Sequence, residues 1–147
     1  MLDPDFLEHR FPTLTSEHVS ALERPFVHRE VWNALKGMNP YKAPGLDGFQ
    51  AVFFQHYWNV VVRETTQTVL GILNGQESTE ALNKTFITLI LKVEHPQSIT
   101  QFQPIRLCNV IYKVDTKVIV EHIKEIFPHV IAPTQASFIP RRQLRII

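Results

Sequence analysis

Apolar side chains recur at helical spacing in four stretches and alternate with polar ones in a fifth. Residues 1–25 carry the weakest pattern. Thr15-Ser16-Glu17 opens a short helix through Leu22, Pro25 ends it, and the rest reads as a weakly ordered arm or linker. From His28 to Met38, Val31, Ala34, Leu35 and Met38 form one stripe. Glu30 stands where a capping-box partner belongs, but the capping position is Val27, which offers no acceptor. That helix start is weaker by roughly 1 kcal/mol. Phe49 to Leu73 predicts one long helix, with Phe49, Val52, Phe53, Val60, Val61, Val69, Ile72 and Leu73 as its apolar content and Asn74-Gly75 as its stop.

Thr85 to Val93 reads as a strand: Thr88, Ile90 and Lys92 alternate with Ile87, Leu89 and Leu91. Glu94 to Gln101, with His95-Pro96, is a turn, and Ile105 to Val110 is a second strand, giving an antiparallel hairpin with a long loop. Ile111 to Phe127 predicts a further helix with apolar positions 111, 114, 118, 119, 123 and 126 on half its circumference, ended by Pro128 and Pro133. Gln135 to Ile139 is a short extended segment before the basic tail Arg141-Arg142-Gln143-Leu144-Arg145. The expected class is α+β, with helices packed on a short antiparallel β-hairpin, an arm over 1–25 and one domain over 26–147.

The stretch Lys42-Ala43-Pro44-Gly45-Leu46-Asp47-Gly48-Phe49 breaks the helical pattern most sharply. Pro44 fixes its own φ and biases Ala43 away from helix. Gly45 and Gly48 permit backbone angles that other residues avoid. Asp47 precedes an apolar run, where a carboxylate can accept from free helix N–H groups. Two readings stand side by side: an ordinary helix–helix connection, or a shaped, positively flanked loop that feeds a helix.

Composition narrows the classes. A chain of 147 residues with 44% hydrophobic content suits one globular domain. The formal charge of +1 gives little long-range steering to nucleic acid, so any such contact rests on local cations. The one cysteine, Cys108, forms no intrachain disulfide and suits a reducing, intracellular compartment. It sits in an apolar strand, which favours a buried, inert thiol. No secretory leader is visible, and no run of about eighteen apolar residues predicts a membrane span. The seven histidines show no metal-ligand spacing, so no metal site is expected. Asp115 and Lys117 read as a solvated helix face. Phe53, Phe54, Tyr57 and Trp58 are dense enough to stack bases, but at helical spacing they read first as core.

The residues Lys42 to Phe49, followed by Phe53-Phe54-Gln55-His56-Tyr57-Trp58, resemble the start of reverse transcriptases from plant LINE-type (non-LTR) retrotransposons, which read KAPGPDGF and then an FFQ-x-x-W-like stretch. Further matches follow in the same order: Asn83 to Lys92, Phe102 to Lys113, and Gln135 to Ile139. The resemblance runs from about Phe26 to about Arg142.

The resemblance implies the fingers region of an RNA-directed DNA polymerase and its approach to the palm. The partners it implies are an RNA template, a DNA primer and a dNTP, with Mg²⁺ as the cofactor of the intact family. In that family the glycine-bearing loop lies on the nucleic-acid side, which makes Lys42 and Gly45 candidate nucleic-acid contacts here. In the basic tail, Arg142 stands at the arginine of the family's G-R pair and is a further candidate phosphate contact, with a solvated, frayed tail as the alternative. The hairpin presents a lysine and an arginine to the triphosphate, because paired cations hold a multiply anionic group for in-line attack. Lys92 stands at the lysine position. Gln103 occupies the arginine position and cannot replace a guanidinium fork. Arg106, three residues further on, points to the opposite face. Leu91 and Arg141 replace the family's proline and glycine.

Nucleotidyl transfer also needs paired carboxylates holding two metal ions. The family draws them from a later F-x-D strand and an A-D-D turn. The four aspartates of this chain, Asp3, Asp5, Asp47 and Asp115, lie in neither motif. No catalytic residue is therefore assigned, no cofactor is expected to bind this polypeptide alone, and no polymerase activity is expected from it. Two rival classes remain: a non-catalytic nucleic-acid-binding module, and a truncated relic without function, marked by exposed apolar surface. Oligomeric state is left open, with a monomer as the default.

Overall fold

The computed structural model of the protein describes residues 13–80 and 82–131. The Gln135–Ile139 segment, the basic tail and Arg142 lie outside them. Among the described residues are six α-helices and one two-stranded antiparallel sheet, an α+β class. The helices are α1 (Ser16–Glu23), α2 (His28–Lys36), α3 (Ala51–His56), α4 (Trp58–Leu73), α5 (Val110–Lys124) and α6 (Phe127–Val130); the strands are β1 (Phe86–Leu91) and β2 (Phe102–Leu107). They divide into two compact units. One is Phe26–Val118, and the other joins residues 13–25 to 119–131.

The first unit has a helical core. Val31, Ala34 and Leu35 of α2, Ala51 and Phe54 of α3, Val69 of α4, and Val110, Val114 and Val118 of α5 form one buried cluster. The α2 stripe falls where the i, i+3, i+4 spacing requires. Trp32 stacks on Trp58 with ring centroids 4.8 Å apart, and Phe53 and Trp58 pack against the buried set. These aromatics are core, while Tyr57 and Phe49 remain half exposed.

The α2 start matches the expectation from Val27. Its side chain makes no cap bond, and only the return half of the box forms, with Val27 N–H donating to Glu30 Oε2 at 3.0 Å. At the other end, Gln55 Nε2 donates to the Leu35 and Met38 carbonyls at 2.9 and 3.0 Å, satisfying oxygens that a helix terminus leaves open.

The single helix expected over 49–73 is two. Residues 49 and 50 are outside it, and the chain breaks at Tyr57, whose ψ of 22° ends α3 and caps α4. Neither proline nor glycine stands there. Local periodicity cannot show such a break, because one off-helix residue leaves the apolar spacing almost intact and the Val61 amide still bonds the Tyr57 carbonyl. Val60, expected on the apolar face, is 74% exposed. The stop is as expected: Gly75 has φ +70°, its N–H bonds Ile72 O, and Gln76 N–H reaches back to Gly71 O, which is the Schellman pattern.

The hairpin forms, but β1 is shorter than expected and β2, of the expected length, is shifted three residues earlier. Its register pairs Phe86 with Leu107 through Leu91 with Phe102. Pairing continues from Lys92 N–H to Gln101 O at 2.8 Å, so alternation makes 90/103, 88/105 and 86/107 the mutually bonded pairs. Pro104, opposite Leu89, therefore sits where no ladder N–H is needed, which explains a proline inside β2. Every residue of β1 is exposed.

In the second unit, α1 starts with a reciprocal cap: His18 N–H donates to Thr15 Oγ1 and Thr15 N–H to His18 Nδ1, both at 3.3 Å. Its Arg24 pairs with Glu125 at 3.5 Å, and the His18 and His129 rings lie 4.7 Å apart. His122 is buried with Nε2 3.0 Å from Leu22 O. The helix expected through Phe127 ends at Lys124. Pro128 does not terminate it but stands in the first turn of α6, where a missing N–H costs nothing.

Candidate functional site

The loop between α2 and α3 is tied to the chain about sixty residues later. Gly45 is buried against the junction of β2 and α5. A Cβ at Gly45 would collide with Asn109 Oδ1 and the Asn109 amide nitrogen, and would lie 2.5 Å from the Cys108 carbonyl carbon. Asn109 Oδ1 accepts from Asp47 N–H at 3.3 Å, and Lys113 Nζ donates to Ala43 O at 2.9 Å. The loop thus has three holds: close backbone approach, an amide clasp and a lysine staple. Asn109 and Lys113 are one helical turn apart, so a single face of the α5 start supplies both side chains.

The two glycines differ in their reasons. Gly48 has φ +73° and open space around it, as conformational freedom predicts. Gly45 has no positive φ; it is glycine because nothing larger fits. Asp47 also departs from expectation. Its carboxylate accepts from Phe49 N–H at 3.1 Å, closing a turn within the loop instead of capping α3. The cap residue of α3 is Gln50, whose side chain makes no cap bond but donates to Tyr41 O at 3.5 Å, and the Pro40 carbonyl takes the Val52 N–H.

Lys42 is exposed on this loop. Lys92 is exposed at the other end of the hairpin, where its ammonium donates to Thr100 O at 3.1 Å. The loop lies at the Leu107 end of β2 and Lys92 at the Phe102 end, so roughly 20 Å of strand separates them. The fold does not gather these two cations into one cluster. Gln103 shares a sheet face with Ile90, and by alternation with Lys92, whereas Arg106 opposite Ile87 is on the other face.

Asp115 was expected on a solvated face and is instead 5% exposed, with Oδ1 lacking a hydrogen-bond partner. Burial pushes its carboxyl above the usual aspartate range. The stripe reading failed because Asp115 borders Val114 and lies one turn before Val118, inside the arc that α5 buries. Cys108, one residue past β2, is a free, half-buried thiol. Among the described residues no three His, Cys, Asp or Glu side chains are grouped to hold a metal ion, and no helix is long and apolar enough to cross a membrane.

No protein-family model matches the chain. It is 26% identical over 146 residues to the transposon TX1 uncharacterized 149 kDa protein of Xenopus laevis. The match covers 97% of this chain and 11% of that protein. The similarity supports a transposon origin, and the chain spans about a tenth of the relative's length.

Proposed function

We propose that this chain is the fingers and early-palm portion of an RNA-directed DNA polymerase from a non-LTR retrotransposon, inactive in polymerisation on its own. One observation carries the reading. The Lys42–Phe49 loop and the Phe102–Lys113 stretch, two of the ordered segments behind the resemblance, meet at Gly45 and Asn109. A packed contact between separate motifs is what a shared template-side surface requires. The similarity to a transposon-encoded protein supports the same lineage. On this reading Lys42 meets nucleic-acid phosphate and Lys92 is a remnant nucleotide contact. Arg142 is a further phosphate contact. Gln103 leaves the triphosphate without its fork. Intact relatives would supply Mg²⁺ through carboxylates this sequence lacks.

The test is primer extension by the purified chain with Mg²⁺ and dNTPs. No incorporation is expected, and robust incorporation would refute the proposal. A non-catalytic binding module is the second reading, favoured by the exposure of Lys42 on a fixed loop. It predicts a salt-dependent shift of an RNA–DNA hybrid that Lys42→Ala with Lys92→Ala removes. No shift at low salt would eliminate it.

A further inference from the structure

The hairpin has one open edge and one closed edge. On β1 the backbone groups of Ile87, Leu89 and Leu91 face away from β2, because the mutually bonded pairs use the even-numbered residues. None of the three donates or accepts elsewhere among the described residues. The matching edge of β2 is interrupted by Pro104. The β1 sequence, Phe86-Ile87-Thr88-Leu89-Ile90-Leu91, carries no charge, and its Phe86, Ile87, Leu89, Ile90 and Leu91 are 46–64% exposed. Edges of this kind lack the charges and prolines that normally block pairing.

We propose that β1 pairs antiparallel with β1 of a second copy of this chain, about a two-fold axis at Leu89, making a four-stranded sheet. Charge selects both the occupant and the register. With the axis at Leu89, Ile87 faces Leu91 of the other copy, and Lys84 comes beside its Glu94. Both pairs occur twice. Moving the axis one residue, to Thr88, would set Lys84 against Lys92. The flanking charges therefore attract in one register and repel in its neighbour. The paired sheet satisfies the outward amides of Ile87, Leu89 and Leu91 in both copies.

Light scattering coupled to size exclusion, run on the full chain from micromolar to millimolar concentration, tests this. The expected result is a concentration-dependent shift to twice the chain mass. Leu89→Pro removes an outward N–H while sparing the ladder to β2, as Pro104 does directly opposite, and is expected to leave a monomer. Hydrogen exchange at Ile90 and Gln103 reports whether that variant keeps its hairpin, and Leu89→Lys serves if it does not. Lys84→Glu is expected to raise the dimer dissociation constant about tenfold, with Lys84→Glu plus Glu94→Lys restoring it. A wild-type monomer throughout, heterogeneous masses above the dimer, or a dimer untouched by the Leu89 variants and by Lys84→Glu would overturn the proposal.

Discussion

Gly45 and Gly48 look interchangeable on paper, and the fold separates them. Gly45→Ala drives a methyl group into backbone atoms of Cys108 and Asn109, which cannot rotate away. We expect a loss of about 3 kcal/mol in urea unfolding. Gly48→Ala meets no neighbour and incurs only the positive-φ penalty, about 1 kcal/mol. Equal costs would show that the loop is not seated on the junction. Asp115 provides the pH-dependent counterpart. Its folded pKa lies above its unfolded value, so the folded chain holds the extra proton between the two. The Asp115 contribution to stability is therefore fully present below the ordinary aspartate range and is lost as pH rises through the raised value. Asp115→Asn removes that loss. A gain is expected at pH 7, shrinking towards zero as pH falls to the ordinary aspartate value, read from melts across pH. A pH-independent gain would mean that packing, not ionisation, is responsible.

The helices were legible in proportion to how far local chemistry decides them. The Val31, Ala34 and Leu35 stripe, the uncapped Val27 and the Gly75 stop are short-range properties, and each is present. Because Glu30 already closes back on the Val27 amide, only the forward half of the box is missing. Val27→Ser is expected to stabilise the first unit by about 1 kcal/mol, raising its melting temperature without altering the rest of α2 in amide exchange. The breaks at Tyr57 and after Lys124 were not legible. A single residue leaving the helix preserves the apolar phase on both sides, and Pro128 suits a helix start as well as a helix end. The β2 boundary shifted for a related reason: the 3₁₀ turn at Ile99–Gln101 shortens the loop, so pairing begins at Phe102.

At the level of the molecule, the proposed nucleic-acid contact, Lys42, is separate from the residues that hold its loop. Asn109→Ala releases the Asp47 amide without removing a cation, whereas Lys42→Ala removes a charge and leaves the clasp intact. Anisotropy titrations of an RNA–DNA hybrid across salt should distinguish them. Both variants bind more weakly, but only Lys42→Ala flattens the plot of log affinity against log salt, by about 0.7–0.9 per lost phosphate contact. An unchanged slope for Lys42→Ala would take that lysine off the interface.

Periodicity, turn chemistry and motif order are properties of neighbours along the chain. They were enough to give the α+β class, the hairpin, the α2 core and the pointer to a transposon origin. What the chain's linear order could not contain was contact between Gly45 and Asn109, the burial of Asp115, or the distance that strand length puts between Lys42 and Lys92. Those depend on which surfaces meet after folding. A missing side chain and a buried carboxylate acquire their meaning from the atoms packed against them.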